Sequence, residues 1–293
     1  MNGFLSILKP PGMTSFAVVS RIRHALPKGT RIGHAGTLDP QAAGVLPVMI
    51  GRATRLFDYT TDKTKTYLVE FVPGIETDTQ DTTGTVVRRG RTSIEQAEIE
   101  ALLPRFNGDI DQIPPMYSAL KREGKRLYEL ARAGETIERE PRTVHVDQIR
   151  VCFEESGHYF LEVTCGRGTY MRTICHDLGL ALGSAGCMGA LIRTAAGPFT
   201  IGESMPLEAL DCAEPLETLR AHLYPLDYPL SHIRRFDIDG RMSERHVRAG
   251  MPVPCTDTDL PESVPVRIYW QDRFCGLAHR KGTVCIYDCM LLE

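Results

Sequence analysis

No apolar run in this chain approaches the roughly 18 residues of a helical membrane span, so that class is excluded. The opening Met1-Asn2-Gly3-Phe4 lacks the basic segment and long apolar core of a secretory signal. Cysteine occurs nine times, but with no regular spacing and no CxxC pair. That pattern fits reduced thiols in the cytoplasm and offers neither a disulfide framework nor a zinc site; Cys165, Cys175 and His176, or Cys285 and Cys289, are the nearest approach to one. A GxxxxGK[ST] loop and a convincing dinucleotide motif are both missing, so neither a bound nucleotide nor a redox cofactor is expected. There is no internal repeat and no low-complexity segment. Acids are scarce at the start: up to Thr60 only Asp39 and Asp58 stand against Lys9, Arg21, Arg23, Lys28, Arg31, Arg52 and Arg55. A chain of net charge −3 can therefore still present a basic face to a nucleic acid. What is present is ordinary globular composition, 42% hydrophobic and 24% charged over 293 residues, enough for a large domain and a small one.

The chain is organised around Arg31-Ile32-Gly33-His34-Ala35-Gly36-Thr37-Leu38-Asp39-Pro40. Glycines flank His34-Ala35, so the backbone can bend tightly and a ligand can come close. A residue before proline is pushed out of the helical region, so Asp39 presents its carboxylate from a stiff extended loop. The apolar run 45–50 anchors that loop. Before it, residues 4–8 read as a strand, Lys9-Pro10-Pro11-Gly12 as a turn, and residues 15–25 as a helix capped by Thr14 or Ser15. After it come a short helix at 51–61, a strand at 64–73 carrying Tyr67, a turn at 78–84 and a return strand at 85–87. Ser93-Ile94-Glu95-Gln96 predicts a capping box for a helix reaching Phe106. Residues 111–140 read as an insertion, with Lys121, Arg122, Lys125, Arg126 and Arg132 on a helical stretch striped by Leu127, Leu130 and Ala131. Such a charged, protruding element suits phosphate contacts. Strands at 142–153 and 159–165 lead through Gly166-Arg167-Gly168-Thr169 into a helix that starts near Tyr170 and Arg172 and runs to 182. Leu191 and Arg193 follow, then a helix at 206–223 and a stiff extended linker at 224–230. Beyond it, short strands at 235–238, 264–270, 274–279 and 284–289, with one helix at 243–249, have the rhythm of a small β-barrel.

Three of these strings, in order, resemble the motifs of the TruB family, the tRNA pseudouridine-55 synthases: the Asp39 loop, the segment around Tyr170-Met171-Arg172, and Leu191-Ile192-Arg193. The family usually has Thr where this chain has Ala35 and Ala43. The resemblance implies an α+β catalytic domain on a mixed, largely antiparallel sheet with flanking helices (residues 1–230, thumb inserted at about 111–140) and a C-terminal PUA-like barrel at 231–293. It implies Asp39 as nucleophile, Arg172 as its partner and Tyr67 against the target base, and Tyr170 packing on the site. Leu191 would lie under the base, with Arg193 and Lys9 near the RNA, and His34, on the Asp39 loop, would fill the space of a flipped base or hold the rearranged loop. Lys121, Arg122, Lys125 and Arg126 would touch RNA from the thumb. Pseudouridine formation imports no group and oxidises nothing, so no metal or cofactor is required; an ionised carboxylate favoured by an arginine is. Whether Asp39 attacks C1′, attacks C6 or removes a ribose proton stays open. The implied partner is the T arm of tRNA, in the cytoplasm, with no membrane and no protein partner. Two rivals stand beside this reading. A non-catalytic RNA-binding protein would have no need of Asp39. A guide-RNA-dependent, dyskerin-like enzyme would be expected to carry longer Lys-rich extensions, whereas this chain ends at Glu293.

Overall fold

Local chemistry sets the first elements. Strand β1 (Gly3–Lys9) is apolar and buried along nearly its whole length. Helix α1 (Ser15–Ala25) begins where the Thr14 hydroxyl accepts a hydrogen bond from the Ala17 N–H, and it buries Val18, Val19 and Ile22. β2 (Ile32–His34) and β3 (Ala43–Ile50) bracket the Asp39 loop. A 3₁₀ turn (Gly51–Leu56) and α2 (Phe57–Thr60) lead towards β4 (Lys65–Pro73). β5 (Ile75–Thr77) and β6 (Val86–Arg89) pair as a separate hairpin, followed by α3 (Gln96–Leu102) and β7 (Gly108–Gln112). β8 (Lys121–Arg122) and β9 (Lys125–Arg126) pair with each other alone. β10 (Arg142–Glu155), β11 (His158–Cys165), α4 (Met171–Ala181), β12 (Gly186–Ala196), β13 (Phe199–Thr200), β14 (Met205–Pro206) and α5 (Pro215–Ala221) complete the larger part. This computed structural model describes residues 1–60, 64–117, 121–122, 125–126, 137–239, 241–255, 257 and 259–292, with backbone only at 121–122 and 125–126.

Ten strands form one mixed sheet in the order β14-β1-β3-β12-β4-β11-β10-β7, with β2 on β3 and β13 on β12. Every pairing is antiparallel except β1 with β14 and β3 with β12. The insertion is visible in the register: Gln112 pairs with Arg142, so the chain leaves the sheet and rejoins it at the same rung.

Three local expectations are corrected. The cap of α3 is Glu95, not Ser93; its carboxylate accepts from the Glu98 N–H while that of Glu98 accepts from the Glu95 N–H at 2.8 Å. This placement puts Ile94 before the cap and Ile99 one turn in, and both are buried in one cluster as a hydrophobic staple. The helix expected at 206–223 breaks into a 3₁₀ turn (Leu207–Leu210) and α5, because Pro215 fits only the first turn of a helix. Residues 224–230 are no free linker. Tyr224 exchanges two backbone hydrogen bonds with Phe4, the Tyr224 and Tyr228 rings lie 4.4 Å apart, and Leu230 is fully buried.

The C-terminal part carries β15 (Arg235–Asp237), α6 (Glu244–Arg248), β16 (Val253–Pro254), β17 (Pro265–Trp270), β18 (Arg273–Lys281) and β19 (Val284–Met290). Where a small β-barrel was expected, the described residues form a curled half-barrel: a five-stranded sheet in the order β15-β17-β18-β19-β16 whose end strands do not pair with each other. It does not hang free. Leu277, Cys289 and Leu291 share a buried cluster with Phe4, Met49 and Phe199, and Arg52 Nη1 donates to the carbonyls of Leu291 and Leu292 at 2.9 and 2.6 Å. Replacing Leu277 by Ala should therefore lower stability of the whole chain by about 2–5 kcal/mol. Urea unfolding followed by far-UV circular dichroism and by the fluorescence of Trp270, the chain's one tryptophan, should show a single shared midpoint in both proteins. Two separated transitions in the wild type would contradict the packed seam.

Candidate active site

Asp39 sits in a loop held from two sides. Ser15, the first residue of α1, accepts from the Leu38 N–H at 2.9 Å and donates its hydroxyl back to the Leu38 carbonyl at 3.1 Å. The Gly12 N–H donates to the Pro40 carbonyl at 2.7 Å. Lys9 reaches the same carbonyl at 3.2 Å and also donates to the carbonyls of Pro10 and Met13. From the opposite side Arg193 donates through Nε to the Val45 carbonyl at 2.7 Å and through Nη2 to that of Gly36 at 3.1 Å. Gly44 makes this crossing possible: it has φ +109°, and a Cβ there would lie 2.2 Å from the Arg193 carbonyl oxygen.

Two residues expected near the RNA have buried side chains, Arg193 while still lining the pocket beside Asp39. Lys9 and Arg193 are 0% and 1% exposed. The reason is that loop carbonyls turned away from the sheet ladder still need donors, and two buried cations supply them. Burial pushes the Lys9 ammonium down to about 8, with the Asp39 carboxylate pulling the other way and the Arg193 charge adding to the depression.

The Asp39 carboxylate meets Arg172 Nη2 at 2.9 Å. Arg172 is the second residue of α4 and is only 6% exposed, whereas the Asp39 side chain is 43% exposed. The same guanidinium donates to the Tyr117 carbonyl at 2.9 Å and lies 3.8 Å from Asp81 Oδ2. The start of α4 is itself fixed. The Tyr170 N–H donates to Gln112 Oε1 at 2.9 Å, and the Gln112 amide returns a bond to the Tyr170 carbonyl at 3.4 Å. Gln112 ends β7, so the helix N-terminus and the sheet edge move as one piece.

These elements enclose a pocket of about 340 Å³, lined among others by Asp39, Tyr67, Tyr170, Arg172, Leu191 and Arg193. Six residues singled out in the sequence converge here. Tyr67 and Arg193 face each other across β4 and β12. Burial raises the Tyr67 phenol above its ordinary value, partly opposed by the Arg193 charge, so at neutral pH it keeps its proton. His34 does not line the pocket. It sits on β2 opposite Val48, and its Nδ1 is buried with no hydrogen-bond partner among the described residues. Burial, and then the Arg193 charge, lower its pKa, so the ring is neutral. Lys121, Arg122, Lys125 and Arg126 lie on paired strands instead of a helix. Gly124 falls between the two pairs in sequence, and glycine is a poor helix residue. Leu127, Leu130, Ala131 and Arg132 lie outside the described residues.

Sequence reasoning missed Lys65, Phe57 and Met188, which also line the pocket, and Asp81 behind Arg172. Lys65 had a usable signal: it precedes Tyr67 by two on a strand and so shares its face. Asp81 had none, because it sat in an Asp-Thr-rich turn read as a turn alone. Among the described residues no group of three or more His, Cys, Asp or Glu side chains is placed to hold a metal ion, and no helix is long and apolar enough to cross a membrane.

Known proteins are similar to this chain in sequence and in fold. Residues 23–171 match the model of the TruB family pseudouridylate synthase N-terminal domain, and residues 172–231 match that of the tRNA pseudouridylate synthase B C-terminal domain. The chain is 44% identical over 245 residues to tRNA pseudouridine synthase B of Alkaliphilus oremlandii, covering 84% of this chain and 81% of the relative. It is 40% identical over 290 residues to the protein of the same name from Synechococcus elongatus, covering 97% and 96%. Among solved structures, a Cbf5-Nop10-Gar1 complex contains a chain with TM-score 0.71 at 25% identity, covering 98% of this chain and 84% of that one. An H/ACA RNP bound to a substrate RNA gives TM-score 0.72 at 22% identity, over 99% and 85%, a likeness of fold. With two family models in tandem and full-length relatives at this identity, the chain belongs to the TruB family of pseudouridylate synthases.

Proposed function

We propose that this protein converts a uridine of tRNA to pseudouridine, that the target is uridine 55 in the T loop, and that Asp39 is the nucleophile. The observation that carries the reading is the Asp39 carboxylate, 2.9 Å from a buried arginine and open to a pocket of about 340 Å³. That volume falls within the ~300–1,000 Å³ of small-ligand sites, so a single extruded nucleotide is the fitting occupant. The names of the relatives support tRNA as the RNA.

The reaction balances without help from outside. The bond from C1′ to N1 breaks, the base turns, a bond from C1′ to C5 forms, C5 loses its proton and N1 gains one. Extruding the base costs a few kcal/mol. Leu191 supplies an apolar support, and Tyr67 packs as a neutral phenol. For Tyr67 to accept the C5 proton it must hand its own proton on. Arg172 holds the carboxylate in place while the base turns. His34 is suited to follow a rearrangement of the loop: it is neutral and sits on the strand that leads into the Asp39 loop. Stacking on its ring would offset part of the extrusion, at roughly 1–3 kcal/mol per base. The hairpin bearing Lys121, Arg122, Lys125 and Arg126 serves the RNA backbone. Residues 231–293 act as a PUA-like RNA-binding domain on a catalytic domain of residues 1–230, and the protein works in the cytoplasm.

Incubating the protein with an unmodified tRNA transcript and mapping the product at single-nucleotide resolution should give pseudouridine at position 55. Asp39→Asn should abolish it while leaving tRNA affinity nearly unchanged, because the amide keeps the shape and loses the nucleophile. A single-turnover rate within tenfold of wild type would contradict the assignment. Lys9→Met separates positioning from RNA contact. Because Lys9 is buried behind the loop, the variant should lower the saturated single-turnover rate by about 10–100-fold with little change in tRNA affinity. A weakened affinity with an intact rate would return Lys9 to the RNA surface.

A further inference from the structure

The far end of α1 opens onto a second concavity, about 830 Å³ in volume, that takes no part in the chemistry above. Arg23, His24, Lys28 and Arg31 stand around it, and no acidic side chain and no Phe, Tyr or Trp lines it. Arg23, Lys28 and Arg31 are exposed. Among the described residues, none of these three side chains makes an ion pair or hydrogen bond. Elsewhere the surface arginines are mostly matched: Arg88 with Glu76, Arg150 with Glu162, Arg248 with Glu244. A cation at a helix C-terminus offsets the helix dipole, which accounts for Arg23 and His24. It does not account for Lys28 and Arg31, which lie beyond the helix. Their loop is ordered, since Thr30 donates from both its N–H and its hydroxyl to the Pro27 carbonyl, at 3.2 and 2.7 Å.

We propose that Arg23, Lys28 and Arg31 form a second RNA-contact surface, one that binds phosphates of the duplex adjoining the target loop. The proposal rests on the reading that a tRNA is the substrate. The chemistry favours a polyanion: three spaced charges suit successive backbone phosphates, and the His24 imidazole is the one aromatic ring among the lining residues. The placement fits as well. α1 has 11 residues, so it is about 16 Å long at 1.5 Å per residue, and its other end is the Ser15 clamp on the Asp39 loop. A double helix carries a charge roughly every 1.7 Å of its axis, so one leaving the pocket along α1 brings several phosphates past the groove. Arg52 and Arg55 line an adjoining concavity with Arg31 but are already committed to the carbonyls of Met290, Leu291 and Leu292.

The test uses the full chain and an unmodified tRNA transcript, with affinity measured at several salt concentrations. Neutralising the three exposed cations together (R23Q, K28Q, R31Q) should make the slope of log affinity against log salt shallower by about 3 and weaken binding at 0.1 M salt by about tenfold or more. The single-turnover rate at saturating enzyme should not change. The charge-retaining set (R23K, K28R, R31K) should bind as wild type. An unchanged slope in the neutral set would overturn the proposal, and so would equal losses in both sets, which would point to local distortion. Absence of pseudouridine from the wild-type product would overturn the catalytic reading instead, and the binding comparison would still be decided on its own result.

Discussion

The ion pair between Asp39 and Arg172 is the constraint on which the rest of the site depends. A guanidinium that is 6% exposed has given up its hydration and must be repaid by oxygen ligands. Arg172 has three: the carboxylate of Asp39, the Tyr117 carbonyl and, at longer range, Asp81. Asp39 is the ligand that stays partly open to solvent and to the pocket. The arginine can therefore orient the carboxylate without enclosing it. A fully buried pair of this kind would cost about 3–5 kcal/mol to break; here solvent at Asp39 lowers that figure, which leaves the carboxylate available for reaction.

A pair like this has meaning only if both partners are rigidly mounted. Asp39 rides on a loop whose carbonyls are taken up by Lys9, Ser15 and Arg193, each from a different element. Arg172 rides on a helix whose first turn is bonded to Gln112 at the sheet edge. The insertion leaves the sheet immediately after that same Gln112 and includes Tyr117, whose carbonyl is itself a ligand of the arginine. The C-terminal sheet is mounted as firmly, through Leu277, Leu291 and the Arg52 bonds to the chain end.

Much of this was legible in the residues, for reasons that can be named. Period-2 patterning located β4, and β1, β10 and β11 also read as strands, whereas the short β2, β7, β13 and β14 carry too few residues for a pattern; Thr14 or Ser15 marked the start of α1. Asp39 before Pro40 marked an extended, presented carboxylate. Errors arose where a tertiary partner outweighed local pattern. Lys9 and Arg193 were expected near the RNA, and their burial behind the Asp39 loop went unread because sequence does not show which carbonyls lack donors. Ser93 lost the cap of α3 to Glu95 because the core wanted Ile94 as well as Ile99. Residues 224–230 read as a linker because their prolines and tyrosines suit one, yet the rings pack on Phe199. Asp81, remote in sequence and set in a polar turn, left no trace of its place behind Arg172.

The most direct measurement is the saturated single-turnover rate of Arg172→Lys on tRNA, taken with its affinity and its thermal unfolding. Lysine keeps the charge but not the planar fork whose Nη2 meets both Asp39 and the Tyr117 carbonyl while Nη1 faces Asp81. A folded variant that binds tRNA within a few fold of wild type and reacts about 100-fold more slowly, or slower still, is the predicted result. A rate within about threefold of wild type would mean that the chemistry does not depend on this pair.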